Sequence, residues 1–110
     1  MNRPEFNFDS EVERIFSVVI DTIDAADCDC DCEQAEATLT LTWPDGRTVV
    51  LSRHAVNQEI WIAAREGGFH FRHDAASGAG WVDTRTGEPL AQVLSRVCAG
   101  PIGRPIEFRL

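Results

Sequence analysis

Between residues 27 and 33 the chain reads Asp-Cys-Asp-Cys-Asp-Cys-Glu, its densest run of side chains that bind metals. In an extended segment, alternation puts Cys28, Cys30 and Cys32 along one edge and the aspartates along the other. Three thiolates suit soft or borderline ions such as Zn(II) or Cu(I). The spacing is not that of a CxxC redox pair, and no second cysteine pair completes a zinc site. The plainer reading is three half-buried, inert cysteines where a strand begins. Cys98 lies on an apolar helical stripe and reads as a core thiol.

The carboxylates reach beyond this run. Asp21 and Asp24 precede Asp27, Asp29 and Asp31, and Glu33 and Glu36 follow. Clustered carboxylates repel one another, and a hard cation relieves that cost. Such a surface favours ferrous or ferric iron, manganese or calcium, held weakly in shallow sites with water completing the shell. The spacing matches no EF-hand loop. The plainer reading is a solvated, solubilising face. Elsewhere, His70 and His73 would face opposite ways on a strand and make a poor metal pair. No serine or cysteine has a recognisable nucleophile setting, and no phosphate-binding glycine motif occurs. The sequence shows no catalytic constellation.

Trp61 is the other residue with a distinct reading. Period 2 places Ile60 and Ile62 on one face of a strand and Trp61 on the opposite one. If the isoleucines face a core, Trp61 lies on an open sheet face, where a tryptophan often anchors a partner. The plainer reading packs it on Trp43, Trp81 or an arginine stem.

Charge follows the same geography. The net charge is −8, and residues 1–36 hold eleven acids against two arginines. An acidic third of this kind repels nucleic acid and anionic lipid and attracts cations or a basic protein surface. No run approaches the roughly 18 apolar residues of a membrane span. No apolar signal-peptide core precedes Asp9. A reducing cytoplasm and free thiols are therefore expected.

The elements that must position these residues follow from periodicity. Val12, Ile15, Phe16, Val19, Ile20 and Ile23 form a helical stripe. Pro4 suits an early first turn, and Ser10 with Glu13 reads as a capping box. The helix should fade by Ala26. Strands are expected at 37–43, 48–53, 59–64, 69–72 and 81–83, with a Pro44-Asp45-Gly46-Arg47 turn after the first. Residues 74–80 read as a small loop. Leu90, Val93, Leu94, Val97 and Cys98 make a second helical stripe after Pro89, with Gly100-Pro101 as its stop. Two helices, each with one apolar stripe, and a sheet with one apolar face combine most economically as an α+β two-layer sandwich. That sandwich has an antiparallel sheet of five or six strands with both helices on one face. The 110 residues are expected to form a single domain.

Residues 39–71, Leu-Thr-Leu-Thr-Trp-Pro-Asp-Gly-Arg through Glu-Ile-Trp-Ile-Ala and Gly-Gly-Phe-His-Phe, resemble the core of the bacterial frataxin family. Gly80-Trp81 and Asp83-Thr84-Arg85-Thr86-Gly87 resemble that family's fifth strand and following turn. Asp29-Cys30-Asp31-Cys32-Glu33 resembles the approach to its first strand. The likeness runs over about residues 4–98. It implies weak iron binding along the first helix and first strand, with Asp21, Asp24, Asp27, Asp29, Asp31 and Glu33 as ligands. It also implies docking on cysteine desulfurase and the iron–sulfur scaffold protein, through Trp61 with Asn57 and Glu59 beside it. A regulator of iron–sulfur cluster assembly, not an enzyme, would result. It would be monomeric with metal-dependent self-association. The chain departs from the family pattern at Val18 and Val19, where acids are usual, and in the segment before Trp61. Residues 72–80 are longer than usual, and Cys28 and Cys30 are not family features. A carrier of zinc or copper on Cys28, Cys30 and Cys32 is the competing expectation.

Overall fold

The computed structural model describes residues 6–76, 78 and 80–110, and all structural statements concern these. The first stripe folds as α1 (Phe8–Ala26), with Phe8, Val12, Ile15, Phe16, Val19 and Ile23 buried along one face. The helix starts between the two expected points. Asn7 holds an extended backbone, and its side-chain oxygen accepts from the Ser10 N–H at 2.9 Å. Asparagine caps as well as serine does, so Ser10 lies inside the first turn and its capping box with Glu13 does not form. Pro4 lies outside the described residues. The helix stops at Asp27, which adopts the left-handed conformation (φ 51°) and donates its N–H to the Asp24 carbonyl. Arg104, just past the second helix, donates to the Ala26 carbonyl and places positive charge at the negative end of the α1 dipole.

Six strands follow in a single antiparallel meander, each paired with its sequence neighbours: β1 (Asp31–Gln34), β2 (Thr38–Thr42), β3 (Thr48–His54), β4 (Glu59–Ala64), β5 (Gly67–Asp74) and β6 (Gly80–Asp83). The strand absent from the expected list is β1. Its four residues have a mostly exposed pattern and little β propensity. Pairing makes it a strand, with Asp31 opposite Thr42, Cys32 opposite Leu41 and Glu33 opposite Thr40. The β2–β3 turn closes with the Gly46 N–H donating to the Trp43 carbonyl, and Gly46 takes the positive φ (89°) that the turn requires. Residues 77 and 79 of the expected 74–80 loop lie outside the described residues.

The second stripe forms α2 (Leu90–Ile102). Gly100-Pro101 does not end it. Pro101 sits in the last turn, where its missing N–H forfeits a single backbone bond, and the helix runs on to Gly103. Gly103 takes the left-handed C-cap and donates to the Ala99 carbonyl at 2.8 Å.

One core joins the three parts. Leu39, Leu41, Val49, Leu51, Ile60, Ile62 and Phe71 point from one sheet face into the same cluster as the α1 and α2 stripes. The fold is the expected two-layer α+β sandwich, with both helices on one face. Arg53 emerges at the margin of this layer. Its guanidinium lies 5.5 Å from the Phe16 ring centre and pairs with Asp9 and Glu13 of α1, fastening the helix to β3.

Candidate functional site

The end of α1 and the edge strand β1 build an acidic ridge. Val19 and Ile23 fix the rotation of α1 by burying themselves, which leaves Asp21 and Asp24 exposed. Val19 therefore serves the core, where an acid could not stand. In β1 the register points Asp31 and Glu33 to the same side as Thr42 and Thr40, while Cys32 turns with Leu41 toward the helices. Between helix and strand, Asp27 (φ 51°) and Asp29 (φ 56°) both occupy left-handed backbone. Asp and Asn tolerate that region better than most side chains, so the run of aspartates suits the corner it must turn.

The ridge differs from most of the other acids in its partners. Asp9, Glu11, Glu13, Asp45, Glu59, Glu88 and Glu107 each pair with an arginine. Among the described residues, Asp21, Asp24, Asp27, Asp29, Asp31 and Glu33 have no such pair and are exposed. No group of three or more His, Cys, Asp or Glu among the described residues is gathered closely enough to hold a metal ion as it stands. The ridge thus offers uncompensated negative charge spread over a surface, the chemistry of a weak, water-rich cation site or of a docking surface for basic groups.

The thiols occupy the inner side of this corner. Cys28, Cys30 and Cys32 are free and half-buried, and pack against the core. Cys30 is pushed up to about 12 by burial and by the neighbouring Cys32 and Cys28, and Cys32 is also raised, by burial first. Cys98, on α2, is fully buried, as its stripe position implies. Burial takes its thiol from 9.0 up to about 12, with Cys30, Cys28 and Cys32 adding to the effect. Cys28, Cys30 and Cys32 thus pack against the same core cluster that holds Cys98, which their spacing did not foretell.

A pH prediction follows from Cys98. Its folded-state pKa lies above the unfolded value, so its neutral form favours the native state below about pH 9. That contribution is lost as pH rises toward 12. Unfolding free energies from denaturant titrations should fall on the alkaline side by a few kcal/mol. Cys98→Ala should flatten that fall. An equally steep fall in the variant would assign it to other groups.

Trp61 lies on the open face of β4, as alternation requires, yet it is not a bare anchor. His54 stacks on one side of its indole at 3.6 Å between ring centres, and His70 on the other at 4.0 Å. The packing partners are these imidazoles. Trp43 and Trp81 are buried in the helix-facing layer. The indole N–H donates to Glu59 at 2.8 Å, and the second oxygen of Glu59 accepts from Arg72 at 2.9 Å. Glu59 is buried, and the indole hydrogen bond, with Arg72 adding to it, holds its carboxyl below the usual range. It thus supports Trp61 from beneath, while Asn57 is exposed in the β3–β4 turn. The roles of His54 and His70 went unread in the sequence. Their signal was present in the alternation that puts Ser52, His54, Trp61 and His70 on one face. His73 faces the other way, stacked on Phe6 and edge-on to Trp81.

Comparison with known proteins supplies a second line of observation. A family model described as a frataxin-like domain matches residues 2–104. The chain is 48% identical over 66 residues to the iron-sulfur cluster assembly protein CyaY of Bordetella petrii, a match that spans 58% of that protein's length. It is 37% identical over 98 residues to the protein of the same name from Cupriavidus taiwanensis, covering 89% of this chain and 86% of that one. Among solved structures, the frataxin of Psychromonas ingrahamii superposes with a TM-score of 0.83 at 20% identity, over 94% of this chain and 95% of that one. Trimeric yeast frataxin complexed with ferrous iron gives 0.67 at 25% identity, over 94% and 92%. No described helix is long and apolar enough to cross a membrane.

Proposed function

Because the chain belongs to the frataxin-like family, we propose that it regulates iron–sulfur cluster assembly, binding iron weakly on the α1–β1 ridge and docking on a cysteine desulfurase and its scaffold protein. The carrying observation is the ridge itself, six carboxylates without arginine partners among the described residues on a chain whose other acids are largely paired. Iron here is cargo. Ferrous ion would be held by carboxylates from α1 and β1 with water filling the remaining positions, so it enters and leaves easily. The same carboxylates attract a basic partner surface over a distance of about one Debye length, roughly 8 Å at physiological salt. Cation and partner then draw on one set of charges, and occupancy by one changes the pull on the other.

The open sheet face supplies the second contact. Trp61 presents its edge between two imidazoles, with Asn57 at the nearby turn and Glu59 holding the indole in place. A rigid, half-buried aromatic of this kind contributes contact area with little loss of side-chain freedom. The chain works without a catalytic centre, in a reducing cytoplasm, as a monomer that self-associates on loading with metal.

The test is binding to purified cysteine desulfurase across a salt series, with and without Fe(II). Affinity that falls steeply with salt and again in Trp61→Ala is the expected result. Absence of binding in both iron states would leave the fold without its partner and overturn the reading.

A further inference from the structure

His54 on β3, Trp61 on β4 and His70 on β5 form a stack of three rings on the open sheet face, with successive ring centres 3.6 Å and 4.0 Å apart. The planes of Trp61 and His70 are parallel to within 6°. Imidazole thus covers both faces of the indole. Neighbours hold the rings in place. Ser52 Oγ and His54 Nε2 share a hydrogen bond of 3.0 Å. Glu59 accepts from the indole N–H and from Arg72. On its far side His70 lines a cavity with Asp83, Arg85, Glu88 and Arg96.

Most carboxylates that face these rings are already committed. Glu59, opposite His54 in the β3–β4 register, is buried and bonded to the indole and Arg72. Asp83 is buried and accepts from the Arg85 and Thr86 backbone N–H groups. Glu88 pairs with Arg96. Asp74, further along the same face of β5, accepts from the Ala76 N–H. Glu36, two residues before the Thr38–Ser52 pair, stands on the β2 side of His54 and is exposed. On the β5 side His70, Arg72 and Arg85 are exposed. This sector therefore presents nitrogen donors outward and keeps Glu59 and Asp83 beneath them.

We propose, on the reading of this face as a partner contact, that His54, Trp61, His70 and Arg72 dock a carboxylate-bearing segment of the partner and that protonation of the two imidazoles tightens the contact. Imidazole is the side chain whose ordinary titration changes its charge near neutrality. A cation over an indole face is attracted by the ring, so each added proton strengthens the stack. The same proton adds a donor and a positive charge beside Arg72, and a carboxylate gains charge-assisted hydrogen bonds. Two such charges at a partly exposed surface should tighten binding about fivefold. His70 lies four strand spacings from β1, roughly 19 Å, well beyond the screening length of about 8 Å in physiological salt. The stack and the ridge thus engage different groups of a partner.

A capped hexaglutamate peptide tests the surface on the unaltered chain without any protein partner. In physiological salt it should shift the Trp61 indole N–H resonance and bind about fivefold more tightly at about pH 5.8 than at about pH 8.0, since its carboxylates stay ionised over that range. His54→Gln/His70→Gln should bind it equally at both. Trp61 emission, taken as the difference between the unaltered chain and Trp61→Phe, should fall on acidification, because an imidazolium in contact with an indole quenches it. That subtraction removes Trp43 and Trp81. Absent peptide binding, equal binding by the unaltered chain at the two pH values, or emission indifferent to pH would each overturn the surface. Purified cysteine desulfurase with its scaffold protein separates this inference from the regulatory role. Binding whose pH dependence is the same in the unaltered chain and the double glutamine variant would overturn the proton-tightened contact and leave the regulator standing. Absent desulfurase binding with the peptide results intact would overturn the regulator and leave the acidic-segment surface standing.

Discussion

Replacing Asp24, Asp27, Asp29 and Asp31 together by asparagine is expected to stabilise the metal-free protein and to remove its ridge cation binding. The physical ground is the absence of arginine partners for these four exposed carboxylates, in a segment where negative charge follows at nearly every second residue. Like-charge neighbours on a surface cost a few tenths of a kcal/mol per pair, so relief across the four should total about 1 kcal/mol. For a chain of this size that amounts to a rise in melting temperature of roughly 4 °C. Asparagine also accepts the left-handed backbone of positions 27 and 29, so the corner keeps its shape. The gain should shrink in high salt, which screens the repulsion. Calorimetry without metal, with a parallel Fe(II) titration, checks both halves. A melting temperature unchanged or lower in the variant would show that the ridge carries no electrostatic strain.

Phe71→Ala and Trp61→Ala should have opposite consequences although their positions lie on adjacent strands. Phe71 is fully buried and sits opposite Ile60 on the helix-facing side. Its truncation leaves a cavity against the α1 and α2 stripes and should cost about 3–5 kcal/mol, which destabilises a domain of this size severely. Trp61 is half-buried on the open face, and its loss removes two ring stacks and the hydrogen bond to Glu59. About 1–2 kcal/mol is expected, leaving a folded protein whose desulfurase binding is weakened. Denaturant unfolding of both variants, with binding measured on Trp61→Ala, separates the two faces. A loss at Trp61 as large as that at Phe71 would make Trp61 part of the structural core.

These predictions also mark how far the residues could be read before the fold was known. Periodicity was enough for α1, α2 and the strands around Trp43, Trp61 and Phe71, because each element has a buried face that its own spacing declares. The side of β4 on which Trp61 lies followed from Ile60 and Ile62 in the same way. The frataxin-like pattern was legible from the block centred on Trp61, and the acidic run was plain as composition.

What the tertiary structure decided has one physical cause: contacts between residues distant in sequence, or choices between local signals of equal strength. Asn7 and Ser10 are comparable caps, and the one seated at the helix boundary is Asn7. Gly100-Pro101 is a good stop signal, yet one lost backbone bond in a last turn does not outweigh the packing of α2. β1 is a strand because β2 lies beside it, since four polar and half-polar residues have no buried face to announce them. That pairing sorts Asp31 and Glu33 to water and Cys32 to the core. The stacking of His54 and His70 on Trp61 arises across three strands, and the packing of Cys28, Cys30 and Cys32 against the core that holds Cys98 arises across a helix and a sheet edge. Sequence spacing alone determined which residues could act, and the long-range packing determined which of them act together.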